Sequence, residues 1–372
     1  MAYTIKDIAS LAGVSIATAS RILNGKPGVK PSTRQKVLDV ARELDYLPNQ
    51  LAKSMKTKRS NTIGLVVADI TNPFYSDTAK TIEMRARENN YTVIVCNTNN
   101  SAAIQKSIIT SLKERRIDGF IFASVELRDK PVRDLIREGY PCVMYHRRLE
   151  ADVGDFIGCD NRMGIEIGFE HLYGLGHRRI GFISGPRVFS TGMERLKAFL
   201  QAAKQHGVPA EPYLIKEGGY DIGKTAREVD ELLALPEPPT AIFAANDLMA
   251  LQVLDRVLAA GYRVPEDISV MGFDDIQIAS HHSIQLTTID IQAKKCAHMV
   301  IETLLNRVEG VGRGKPKEVL LSPQLKVRRS TAPPGSSGPN ATASSQRGQT
   351  PHQKAHQGGP QQGSRHYINA SE

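Results

Sequence analysis

Between Thr4 and Leu44 the apolar positions come in three short bursts at helical spacing: Ile5, Ile8 and Ala12, then Ala19, Ile22 and Leu23, then Val37, Val40, Ala41 and Leu44. Gly13-Val14 and Gly25-Lys26-Pro27-Gly28 break the pattern between them, and Tyr46 and Pro48 stop the third burst. Thr4 and Ser15 stand where the first amides of a helix need a side-chain acceptor. The pattern predicts two short helices, a turn and a third helix closing one small core. On the second helix Ile16, Ala17, Ser20, Arg21 and Asn24 fall on the outward side.

From Thr62 the texture changes to short apolar runs alternating with amphipathic stretches. Strands are predicted at Ile63 to Ala68, Thr92 to Cys96, Gly119 to Ala123, Cys142 to Tyr145, Ile180 to Ser184, Tyr213 to Lys216, Ala241 to Ala244 and Ile268 to Phe273, with helices between them. This is the grammar of an α/β chain with a doubly wound parallel sheet, and the second set of units beginning near Arg162 implies two lobes. Past Thr331 the chain is Pro, Gly, Ser, Gln and His with few apolar residues, so residues 335–372 are expected to be disordered.

Charge separates these regions. Residues 1–59 hold eleven Lys and Arg against four Asp and Glu, whereas 60–334 hold 34 of each, so the whole +9 of the chain lies outside its central body. A basic head on a neutral body is the electrostatic footprint of a phosphate-binding module. Two helices joined by a glycine-containing turn form a helix-turn-helix, whose second helix enters the major groove. There Arg21 can fork onto a guanine edge, and Ile16 and Ala17 can meet thymine methyls.

In an open α/β sheet ligands sit outside the carboxyl ends of the strands. The residues there are Asp69, Asn72 to Tyr75, His146-Arg147, Arg195, Tyr220, Asn246-Asp247 and Asp274-Asp275. Rings with a few carboxylates, amides and a guanidinium suit a polyol: rings stack on sugar C–H faces while Asp, Asn and Arg take hydroxyls. Taken singly, Phe74 reads equally well as a helix staple, Asp247 as an N-cap and Asp274 as a turn former.

With 372 residues and 41% hydrophobic content the chain has room for about two to three domains. No apolar run of 18 residues occurs, so no membrane span is expected. The N-terminus opens on a capping pattern and not on a secretory signal, and Cys96, Cys142, Cys159 and Cys296 are scattered, which points to reduced thiols in a cytoplasm with no metal site. No nucleophile elbow, P-loop, dinucleotide fingerprint or H-E-x-x-H is read in the chain, so no catalysis and no cofactor are expected.

Thr4-Ile5-Lys6-Asp7-Ile8-Ala9, Ala12-Gly13-Val14-Ser15, Thr18 to Gly25, Tyr46-Leu47-Pro48-Asn49 and Leu51 to Ser54 together resemble the head of the lactose repressor family of bacterial transcription regulators, and the resemblance continues to about Pro334. It implies residues 1–48 as the helix-turn-helix head and 49–60 as a hinge helix and linker. Residues 61–334 would be a two-lobed effector domain like periplasmic sugar-binding proteins, with one lobe at about 61–161 and 291–323 and the other at about 162–290. Three strands would cross between the lobes, near Asp160-Asn161, Asp290 and Pro323. A solute-binding protein of the same fold is the alternative, but it leaves the head unexplained.

The resemblance also implies partners: a palindromic double-stranded DNA operator, a sugar-like effector and a second copy of the chain. DNA contact is implied for Thr4, Ser15, Ile16, Ala17, Thr18, Ser20, Arg21, Asn24, Asn49, Ala52, Lys53, Met55 and Lys56. Too short to be stable alone, since isolated helices need roughly 12 to 15 residues, the hinge would order only when two copies meet in the minor groove. Met55 stands where such repressors wedge a leucine between base steps, and Lys53 and Lys56 would hold phosphates. The effector cleft is implied for Phe74, Tyr75, Arg195, Tyr220, Asn246 and Asp274, with His146 and Phe189 added as departures. His146 replaces a common Asp and is open to three readings: ligand contact, pH-sensitive group or satisfied core imidazole. Phe189 stands where purine-binding members carry an arginine, which argues against a purine.

Overall fold

The computed structural model describes residues 3–46, 59–150, 153–208, 210–311 and 314–335. The N-terminal helices are α1 (Ile5–Leu11), α2 (Ile16–Leu23) and α3 (Pro31–Glu43). They bury Ile8, Ala9, Ala12, Ala19, Ile22, Val37 and Ala41 against one another. Ser15 caps α2 as expected, its Oγ accepting from Thr18 N at 3.1 Å. Thr4 is the N-cap of α1 as expected, in a reciprocal capping box with Asp7, whose carboxylate reaches back and takes both the Thr4 amide (2.7 Å) and its hydroxyl (2.8 Å). These bonds favour the ionised form and hold the Asp7 carboxyl below the usual carboxylate range.

The first half of the body runs β1 (Thr62–Val67), α4 (Pro73–Glu88), β2 (Thr92–Asn97), α5 (Ala102–Glu114), β3 (Gly119–Ala123), α6 (Lys130–Arg137), β4 (Cys142–Tyr145) and β5 (Asp155–Cys159). The second half runs α7 (Asn161–Gly174), β6 (Ile180–Ser184), α8 (Ser190–Gln205), β7 (Ile215–Glu217), α9 (Ile222–Leu233), β8 (Ala241–Ala244), α10 (Asp247–Ala259), β9 (Ser269–Met271), β10 (Thr288–Asp290), α11 (Ala293–Glu309), β11 (Glu318–Leu321) and β12 (Gln324–Lys326). One sheet has the order β11-β5-β4-β3-β1-β2 and another β7-β6-β8-β9, with every neighbouring pair parallel. β10 and β12 pair antiparallel as a small ribbon.

Helices on both faces explain why β3, β4, β5, β6 and β8 are buried along their whole lengths. Four elements were not read from the pattern of residues, although the resemblance implies strands near Asp160-Asn161 and Pro323, beside β5 and β12. β5 begins with a charge and contains Gly158; Asp155 is nevertheless buried because Arg307 forks onto it at 2.7 Å from both Nε and Nη2. α11 returns to the first sheet, packing on β3, β4, β5 and α4, and β11 extends that sheet's edge beside β5. β12 completes the ribbon. The strand read at Tyr213 to Lys216 is a short 3-10 turn at Pro212–Leu214 leading into β7.

Candidate functional site

On the head, Ile16, Ala17, Arg21 and Asn24 are exposed, while Thr18 and Ser20 are half-buried. Ile16 keeps 48% of its surface open, apolar area that is free to meet a thymine methyl. The Arg21 carbonyl accepts from Lys26 N, but its guanidinium makes no hydrogen bond or ion pair among the described residues and is uncommitted. Asn24 is partly spent: its Nδ2 donates to the Ser20 carbonyl at 2.7 Å. The implied hinge contacts Asn49, Ala52, Lys53, Met55 and Lys56 lie outside the described residues.

The strand ends of the body converge on a cavity of about 330 Å³. Of the eight residues proposed for the effector, Phe74, Tyr75, His146, Arg195, Tyr220, Asn246 and Asp274 line it. Phe189 does not, and that placement is corrected: it lies beneath Arg147, its ring 3.7 Å from the guanidinium carbon. Sequence reasoning missed Asn100, Asp221, Ile222, Leu248 and Met249 on the wall, and passed over Arg147 when choosing site residues.

Local geometry explains how the side chains arrive. Asn72 and Asn246 cap α4 and α10, accepting from Phe74 N (3.0 Å) and Met249 N (2.8 Å), which turns the start of each helix toward the cavity. Asp247, read as an alternative N-cap, is fully buried and takes the Ile276 amide at 2.9 Å and the Thr288 hydroxyl at 2.5 Å, so it braces the neighbouring loop instead. His146, Tyr220 and Asp274 have φ of 65°, 57° and 115°, conformations that non-glycine residues adopt at a cost of about 1–3 kcal/mol each. At His146 the strain is a tight turn in which Arg147 N donates to the Tyr145 carbonyl at 2.6 Å, and it sends two adjacent side chains to one wall. Gly185 is required under Tyr220, since a Cβ there would sit 2.2 Å from the ring.

The polar groups differ in how far they are satisfied. Arg195, only 1% exposed, donates from Nε to Asn161 Oδ1 (2.8 Å), from Nη1 to the Ala245 carbonyl and from Nη2 to Asp274 Oδ1 (3.3 Å), while lying 3.8 Å over the Phe273 ring. Burial pushes the Asp274 carboxyl up to about 6 even though Arg195 pulls it down. His146 packs 4.4 Å from the Phe74 ring, and its ring takes no hydrogen bond among the described residues. That removes the reading as a satisfied core imidazole. Burial, with Arg195 and Arg147 nearby, holds it well below the ordinary histidine range, which favours the neutral ring. Tyr75 is pushed up to about 12 by burial and remains a phenol. The arrangement is three aromatic side chains, two of them phenols, with amide, imidazole, carboxylate and guanidinium around a sugar-sized space, which suits a polyol.

One pattern was overlooked. Gly218-Gly219-Tyr220-Asp221-Ile222-Gly223-Lys224-Thr225 has the G-x-x-x-x-G-K-T spacing of a P-loop, and it runs from β7 into α9. Its contacts are wrong for phosphate. The Asp221 carboxylate occupies the helix start, taking Lys224 N at 2.6 Å, Lys224 Nζ is paired with Glu217 at 2.9 Å, and the Thr225 hydroxyl donates to the Gly218 carbonyl at 3.3 Å. The expectation of no P-loop motif was therefore mistaken as a reading of the sequence, although the loop does not form a phosphate cradle.

Residues 4–49 match the family described as bacterial regulatory proteins, lacI family, and residues 169–331 match a periplasmic binding protein-like domain. The chain is 33% identical over 329 residues to the HTH-type transcriptional repressor PurR of Photobacterium profundum, covering 88% of this chain and 98% of that protein. Its fold is similar to the lac repressor dimer bound to operator and the anti-inducer ONPF, with TM-score 0.78, 26% identity and coverage of 89% and 100% of the two chains. It is also similar to the transcriptional regulator CelR in its cellobiose complex, with TM-score 0.67, 29% identity and coverage of 88% and 99%.

Proposed function

Because this chain belongs to the lacI family of bacterial regulatory proteins, a group of helix-turn-helix transcription regulators, we propose that it represses transcription as a homodimer on a palindromic operator and is controlled by a small effector in the body cavity. The observation that carries this reading is a single chain holding both an uncommitted, exposed reading face around Arg21 and a 330 Å³ polar-aromatic cavity at the strand ends. The operator-bound lac repressor dimer and the CelR–cellobiose complex support operator binding, dimerisation and a sugar, sugar acid or polyol as effector. Paired heads read two half-sites, which one head with so few contacts could not do tightly. A repressor works where its operator is, so the proposal includes the cytoplasm as its compartment. No helix among the described residues is long and apolar enough to cross a membrane.

The effector works by binding one arrangement of the two sheets more tightly than another; without differential affinity it could shift nothing. The division into 1–48, 49–60 and 61–334 belongs to the proposal, as does the wedge at Met55, for which Met55→Gly should lose operator bending. The cavity performs recognition and not turnover. Calorimetry with a panel of sugars and sugar acids should find a ligand whose affinity falls at least tenfold, about 1.4 kcal/mol, in Asp274→Ala. Equal binding by both proteins would refute the cavity assignment.

A further inference from the structure

We propose that the effector carries a carboxylate on a sugar-sized polyol, and that Arg147 is the residue that reads it. The inference rests on the reading of the cavity as an effector site and names the chemical class it takes.

The deep wall holds two guanidiniums and one carboxylate. Arg195 is balanced by Asp274 and by two further acceptors. Arg147 is not. Only 2% exposed, it donates from its guanidinium once, from Nη1 to Asn100 Oδ1 at 2.8 Å, and its enclosed Nε has no acceptor among the described residues. Asp274 feels its charge at a distance but spends its contact on Arg195. No carboxylate lies within ion-pair distance of Arg147 among the described residues. The next residue shows what the chain does with a guanidinium meant for structure: Arg148, less buried, pairs with Glu194 at 2.8 Å and Glu318 at 2.5 Å. A buried charge without a partner is costly, and where it lines a cavity the missing partner is a ligand group.

Arg147 is also held for such a role. Phe189 lies 3.7 Å beneath it and Tyr220 5.4 Å away, so the planar fork is fixed by stacking while an edge faces the cavity. Neutral His146 beside it supplies no negative charge. The rim carboxylates are committed elsewhere: Asp69 Oδ1 takes the Thr71 amide (3.0 Å) and hydroxyl (2.8 Å), and Asp221 caps α9. They would repel a second negative charge at the mouth, which favours a singly charged carboxylate over a phosphate ester.

The test is calorimetry on the full chain with matched probes: D-glucose and D-glucuronate, D-galactose and D-galacturonate, D-glucitol and D-gluconate, with D-glucose 6-phosphate added. The proposal expects one acid to bind at least tenfold more tightly than its neutral partner, Arg147→Gln to remove that preference, and Arg147→Lys to restore part of it. A neutral partner that binds equally well, or an acid that binds Arg147→Gln unchanged, overturns it; if that ligand still depends on Asp274, the effector site itself stands. A phosphate ester that binds more tightly than every acid overturns the carboxylate. If no probe binds, both readings fall. A ligand-free arm separates recognition from bracing: unliganded Arg147→Gln should melt no lower than wild type, because it loses an uncompensated charge. A drop of more than about 5 °C would make Arg147 a structural brace and overturn the proposal.

Discussion

The reading face of the head and the wall of the cavity are both polar recognition surfaces, but they are built in opposite ways. The head places exposed, weakly committed side chains on a small core of Ile8, Ala19, Ile22 and Val37, with its helices in relaxed conformations. The cavity wall is buried and strained: Arg195, Arg147 and Asp274 are each at most 5% exposed, and four wall residues, Asn100, His146, Tyr220 and Asp274, have positive φ. A surface that meets a highly charged duplex can leave its side chains in water until contact. A pocket that must choose among small solutes has to hold its groups in place beforehand, and it carries that cost in the unliganded state.

The contrast predicts that substitutions of cavity groups paired within the wall change stability and binding together, whereas head-face substitutions change binding alone. The largest effect is expected for Arg195→Ala, which leaves Asp274 and two other acceptors buried and unpaired; urea denaturation should show a loss of about 3–5 kcal/mol together with loss of effector binding. Next comes pH. Asp274 is raised to about 6, so its contribution to stability is fully present below its unfolded value near 3.8 and is lost as pH rises through 6. The unliganded protein should therefore become less stable from about pH 4 to 6.5 by on the order of 1–3 kcal/mol, and Asp274→Asn should flatten that slope. Equal slopes in the two proteins would mean that Asp274 is ionised throughout. Smallest in stability is Arg21→Ala: a change within about 0.5 kcal/mol in the denaturation midpoint, with about 1–3 kcal/mol lost in specific DNA affinity measured by anisotropy. A large stability loss there would erase the contrast between the two surfaces.

The same difference governs what could be read from the residues alone. The head was legible almost completely, because apolar spacing around Ile8, Ile22 and Val37 encodes both its core and, by exclusion, its outer face. The cavity was legible as far as strand ends announce it, which located Phe74, Asn246 and Asp274. Asn100, Asp221 and Met249 follow turns whose geometry no periodicity reports, and the φ of His146 leaves no trace in side-chain pattern. Arg147 was named as a post-strand residue and then set aside, since a sequence does not show that Arg148 would take the carboxylates and Arg147 none. α11 was overlooked although Cys296, Ala297, Val300, Ile301 and Leu304 form a helical stripe that could have revealed it.

The central claim is that occupancy of the body cavity controls what the head does on DNA. It is tested most directly by anisotropy titration of a palindromic duplex, selected from the organism's genome by the purified protein, with and without a ligand found by calorimetry. Saturating ligand should change the affinity of the wild-type protein at least fivefold, about 1 kcal/mol, and leave Asp274→Ala unmoved. Identical affinities for the wild type with and without a ligand that demonstrably fills the cavity would contradict the account.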